Sequence, residues 1–89
     1  MRAVITVIGK DMVGILAKVS GECAEHNINV IEVTQSILQD MFAMIMMVEI
    51  SKADIPFTQF AEKIEKMGSE MGLSIHAMHE DIFNAMHTI

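Results

Sequence analysis

Seven consecutive residues, Phe42-Ala43-Met44-Ile45-Met46-Met47-Val48, carry no polar side chain. A run this short cannot cross a bilayer, and it reads as a strand whose two faces both need cover. Helices can cover one face. The other needs a ligand or a second subunit. The whole chain presses in the same direction. Its 89 residues form one small domain, which buries only about 60–65% of the surface of its unfolded chain. With 52% hydrophobic residues and a mean hydropathy of +0.41, apolar surface is left over. Self-association is the usual remedy.

The remaining elements follow from periodicity. Residues 3–8 (Ala-Val-Ile-Thr-Val-Ile) predict a first strand, β-branched and covered on both faces, that Gly9 ends. From Gly14 to His26 the spacing becomes helical, with Val13, Leu16, Val19, Ser20, Cys23 and Ala24 on one side and Lys18, Glu22 and Glu25 on the other. Lys18 and Glu22 are spaced to pair. Asn27-Ile28-Asn29 stops this helix. Residues 29–39 predict a second strand in which Ile31, Val33 and Ile37 alternate with Glu32, Thr34 and Ser36. Gln39-Asp40 is the hairpin tip, and Met41 to Ile50 returns. Asp54-Ile55-Pro56 opens the clearest amphipathic helix, with Asp54 as N-cap and Phe57, Phe60, Ala61, Ile64, Met67 and Met71 in one stripe. Gly72 terminates it. Leu73, Ile75 and Ala77 alternate with Ser74, His76 and Met78 in a fourth strand, and Ile82, Phe83, Met86 and Ile89 form a short helical stripe. A helix that short is unstable alone in water, so it docks on its own domain or on a partner. The order β-α-β-β-α-β packs as a four-stranded antiparallel sheet with both helices on one face. The helix-free face is left bare, and a subunit, a ligand or both are expected there. Residues 1–80 form the domain and 81–89 the tail.

The stretch Ile8-Gly9-Lys10-Asp11-Met12-Val13-Gly14-Ile15-Leu16 is a strand end, a tight loop and a helix start. Backbone N–H groups at a helix start lack intrahelical partners and carry the positive end of the dipole. Such a corner suits a small anionic or zwitterionic ligand. Several classes of function are disfavoured. Only six Lys and Arg stand against twelve acidic residues, for a net charge of −6. Nucleic acid and anionic membrane surfaces are therefore poor partners. Cys23 is the only cysteine, so no intrachain disulfide forms, and with neither a leader pattern nor a spanning segment the expected location is cytoplasmic. No nucleophile–base pair, P-loop or paired carboxylates support an enzyme, and no cofactor is implied.

The residues quoted for the glycine corner, followed by Cys23-Ala24-Glu25-His26-Asn27-Ile28-Asn29-Val30 and the ending Glu80-Asp81-Ile82-Phe83-Asn84-Ala85-Met86-His87, resemble a stand-alone ACT domain. The likeness is to small uncharacterised bacterial ACT proteins and to one repeat of the glycine-cleavage repressor type. It implies a ferredoxin-like α+β fold and a regulatory, allosteric module that binds an amino acid between paired domains. It also implies ligand contacts at Asp11, at the backbone of Met12, Val13 and Gly14, and at Asn29, the last often supplied by the partner subunit. An acid at Asp11 departs from the amide found there in some amino-acid binders. It suits an ammonium group and not a carboxylate. Most such domains are fused to an enzyme or a DNA-binding domain, so this one would act alone or dock on a regulated enzyme or transcription regulator.

Each residue has a plainer role beside the functional one. Gly14 lets backbone approach a ligand or lets the helix pack on the sheet. Asp11 contacts a ligand or caps the helix; Asn29 holds a ligand or completes a turn. His76 and His79 point to opposite faces of a strand, so with Glu80 and His87 they form no convincing metal site. Cys23 reads as a core thiol. The run Met44 to Met47 reads as dimer core before it reads as an adaptable binding surface.

Overall fold

The computed structural model describes residues 1–10 and 13–87, with the side chains of Leu38 and His87 excepted. Strand β1 (Arg2–Lys10) leads through a glycine turn to α1 (Ile15–Glu25), then β2 (Asn29–Leu38), β3 (Met41–Glu49), α2 (Phe57–Met71), β4 (Ser74–His79) and α3 (Glu80–His87). The sheet is antiparallel throughout, in the order β2-β3-β1-β4. This is the ferredoxin-like arrangement expected from the order of elements.

Register sorts the side chains. Ala3, Ile5 and Val7 of β1 face the helices with Phe42, Met44, Met46 and Val48 of β3 and Ile75 of β4, and all are buried. Ile15, Val19 and Cys23 close this core from α1, and Phe60 and Ile64 close it from α2. The uninterrupted Phe42–Val48 run is therefore divided by the two-residue period. Met44 and Met46 belong to the chain's own core, which corrects the assignment of Met44–Met47 as a whole to a dimer interface. Only the odd positions, such as Ala43 and Ile45, lie on the opposite face.

That opposite face is not wholly bare. Val4 is fully buried there although it stands outside the helix-side core. The cover is α3, which lies against β1 and β4 and brings Phe83 and Met86 over Thr6, Ile8 and Met78. Arg2 fastens the start of α3 through two contacts to the Glu80 carboxylate, at 2.6 and 3.2 Å. The half nearer β2 stays open, with Met41 and Ile45 exposed.

Five local expectations are corrected. Gly9 does not end β1, which runs to Lys10. Its hydrogen atom in place of a side chain lets the strand approach Leu73, whose Cδ2 would stand 2.5 Å from an added Cβ. The buried line of α1 is Ile15, Val19 and Cys23, while Val13, Leu16 and Ala24 are exposed. Gly14, at φ +87°, turns the chain so that the helix begins at Ile15 and rotates Val13 outward. In β2 the ladder skips from Val30 to Glu32. This bulge leaves Ile31 exposed and sends Val30 and Val33 to the core. Finally, Asp54 is not the N-cap of α2. The helix starts at Phe57 behind Pro56 without a side-chain cap, and the Asp54 carboxylate is engaged elsewhere. Lys18 forms no pair with Glu22 either; Glu22 meets Lys63, at 3.4 Å.

Two helix-interior glycines differ in what surrounds them. A Cβ on Gly68 would lie 2.5 Å from Cγ1 and 2.9 Å from Cβ of Ile75, whereas one on Gly21 meets nothing within 4 Å. Gly68→Ala should therefore destabilise the fold by about 1–2 kcal/mol, overpacking outweighing the helix-propensity gain. Gly21→Ala should stabilise it by about 0.5–1 kcal/mol. Urea unfolding of the two variants checks the opposite signs.

Candidate functional site

The glycine corner and Asn29 flank α1 from opposite ends. At the first, Lys10 ends β1, Val13 is fully exposed and Gly14 occupies the N-cap position. Among the described residues no side chain caps this helix start and no acidic residue stands in its first turn, so the positive end of the dipole is uncompensated by them. Asp11 and Met12 fall outside the described residues.

At the second end, His26 follows the last helical residue and Asn27 adopts φ +59°. Asparagine accepts this left-handed conformation more readily than most residues. The Ile28 N–H reaches back to the Cys23 carbonyl, at 2.8 Å. Asn29 then opens β2 directly across from Glu49 of β3. The Asn27 amide donates to the Lys52 carbonyl, at 3.0 Å, and ties this turn to the loop after β3. Between turn and loop lies a cleft of about 480 Å³, lined by Asn27, Asn29, Glu49, Ser51 and Lys52 among others. The Met1 ammonium donates to Glu49 Oε1 at 2.9 Å, and the Ser51 N–H donates to the same oxygen at 3.0 Å. These bonds, the ammonium's first, hold the Glu49 carboxyl down at about 2. Helix α1 alone spans roughly 16 Å at 1.5 Å per residue, so one small ligand cannot touch Gly14 and Asn29 of the same chain.

One cluster has no counterpart in the sequence reading. The His26 ring, whose side chain is only 13% exposed, lies 2.8 Å through Nδ1 from Asp54 Oδ1 and 2.8 Å through Nε2 from Lys63 Nζ. Lysine can only donate, so Nε2 accepts and Nδ1 carries the hydrogen given to Asp54. Phe60 meets the ring edge-on at 6.1 Å. The assembly joins α1, α2 and the loop before α2. Residues 22, 26, 54 and 63 share no sequence motif, and only the packing of the helices brings them together.

Against known proteins, the model of the ACT domain matches residues 2–78. The chain belongs to the ACT domain family. ACT domains are typically regulatory ligand-binding modules. A UPF0237 protein of Listeria innocua is 47% identical over 89 residues, covering 100% of both chains. The solved ACT domain protein from Streptococcus pneumoniae superposes with a TM-score of 0.80 at 34% identity, over 100% of this chain and 97% of that one. A candidate glycine cleavage system transcriptional repressor shares the fold, with a TM-score of 0.71 at 20% identity over 85% of this chain and 43% of its own.

His76 and His79 do face opposite sides of β4. His79 stacks on Phe57 at 4.6 Å, and His76 Nε2 lies 3.2 Å from the Ser74 hydroxyl. Among the described residues no group of three or more His, Cys, Asp or Glu is placed to hold a metal ion; the His87 side chain lies outside them. No described helix is long and apolar enough to cross a membrane.

Cys23 is fully buried. Burial first, and the neighbouring Glu22 charge second, push its thiol from 9.0 to about 11. A raised folded value means that between pH 9 and 11 the unfolded state holds fewer protons than the folded one, so stability falls as pH rises through that window. Cys23→Ala should flatten this fall while lowering stability at neutral pH. Urea unfolding of both proteins from pH 8 to about 11 measures the difference in slope.

Proposed function

We propose that this ACT domain is a homodimeric sensor of an amino-acid-type effector, with each site completed by the partner copy. The observation that carries the reading is the position of the two half-sites at opposite ends of α1, together with the open edge of β2. Strand β2 is the outer strand next to β3. Its ten residues contain no Lys, Arg or Pro, and Ile31 and Ile37 are exposed along it. Edges in monomeric proteins are commonly protected by such charges or prolines. Antiparallel pairing of β2 with its copy about a two-fold axis places the start of one strand beside the end of the other. Because β1 and β2 run parallel, the end of β2 is also the end at which the glycine corner lies. Asn29 of one copy thus comes to Gly14 of the other. Asp11 and the N–H groups of the glycine corner then line the same site as Asn29.

Regulation follows from linkage. A ligand held between two copies favours the arrangement that contacts it, and whatever partner distinguishes that arrangement reads the effector.

At about 100 times Kd, a bound amino acid should add about 2.7 kcal/mol of stability, with melting rising by about 4–8 °C per kcal/mol. Thermal-shift measurements with the twenty amino acids test this. Asp11→Ala and Asn29→Ala should each abolish the shift without unfolding the protein. Mixing the two variants should restore about a quarter of the sites, since half of the random dimers hold one intact site. Recovery of none, or a strictly monomeric protein at high concentration, would count against the shared site.

A further inference from the structure

We infer that the cleft beside Asn29 is a clamp for the main chain of a free α-amino acid, in which Glu49 receives the ammonium and Lys52 the carboxylate. The inference rests on the effector-sensing reading and deepens it by assigning two residues that neither the glycine corner nor the asparagine supplies.

Four observations converge. The ladder sets Asn29 directly across from Glu49, so a carboxamide and a carboxylate share one wall. The bond from the Asn27 amide to the Lys52 carbonyl fixes the opposite wall. The volume, about 480 Å³, falls within the roughly 300–1,000 Å³ of small-molecule sites. The cleft also carries one charge of each sign, as a zwitterion requires. The groove beside His26 also carries both signs, in Glu62 and Lys66, but Asn29 does not line it. In the groove beside His26, Lys63 is engaged by His26 and Glu22. The cleft beneath α3 is lined mainly by apolar side chains.

The state of the two charged groups supports the assignment. All three bonds to Glu49, from the Met1 ammonium and from the Ser51 N–H and hydroxyl, go to Oε1. Oε2 takes none from a described residue. The Met1 ammonium also sits 2.7 Å from the Ser51 hydroxyl oxygen, so Glu49 and Ser51 together already form a cradle that accepts a primary ammonium. Lys52 is exposed and has no ion-pair partner among the described residues. An effector carboxylate would be its first.

The chemistry separates a free amino acid from a peptide end, since only the free molecule carries both charges on one α-carbon. Titration calorimetry on the full chain decides it, using each of the twenty amino acids with their amides and N-acetyl forms. Lys52→Met should weaken the free amino acid about 10- to 100-fold, the loss of one charged hydrogen bond, and leave the amide's affinity as in the parent protein. Glu49→Gln should weaken the free amino acid similarly and leave the N-acetyl form unchanged. Glutamine keeps an acceptor for Ser51, and melting temperature verifies that each variant folds. Lys52 is a surface residue, so that variant decides the matter if Glu49→Gln does not fold. Undiminished affinity in Lys52→Met and Glu49→Gln, with Asn29→Ala inactive, overturns the clamp and leaves the effector reading standing. Absence of binding by the parent protein overturns both.

Discussion

The burial of β1 on both faces is the constraint on which the rest of the molecule depends. Ala3, Ile5 and Val7 enter the helix-side core while Val4 is sealed on the other side, and both edges of the strand are hydrogen-bonded, to β3 and to β4. While Ile8 farther along the same face stays half exposed, around Val4 the strand has no solvated side to lend. Its cover must come from α1 and α2 on one side and α3 on the other, and its last residues must pass close to Leu73. Gly9 makes that passage possible, and in doing so it aims the chain at the turn from which α1 departs.

The same geometry underlies the proposed function. One helix separates the glycine corner from Asn29, and the sheet edge nearest α1 is unpaired in a single chain. Under the proposed function, a ligand site divided in this way rewards association, because binding energy is realised only when two copies bring their halves together. The core has no part in this chemistry. Cys23 is a packed thiol and His79 a ring against Phe57. The charged groups of the candidate clefts lie at the ends of elements, where loops from different parts of the chain converge.

Much of the fold was legible in the chain. The two-residue period of β4, the stripe of α2 and the stop at Gly72 all express local geometry, and neighbouring residues encode them. Three of the misreadings share one cause. Whether Gly9 ends a strand or permits a close contact, whether Asp54 caps a helix or binds a histidine, and whether Ile31 sits in a ladder or a bulge each depend on a distant segment: Leu73, His26 and the Val30–Glu32 register against β3. Contacts between residues so far apart in sequence leave no periodic trace.

By itself the sequence determined the order and type of the elements, the antiparallel sheet with helices on one face, and the surplus of apolar surface, because each is a sum over local pattern and composition. It also marked Gly14 and Asn29 as notable positions. Only the tertiary structure decided that these lie at opposite ends of a helix, that α3 covers half of the free face, and that Glu49 and Lys52 border Asn29. Those facts are distances between parts of the chain far apart in sequence, and distance in space is set by packing, which no local pattern records.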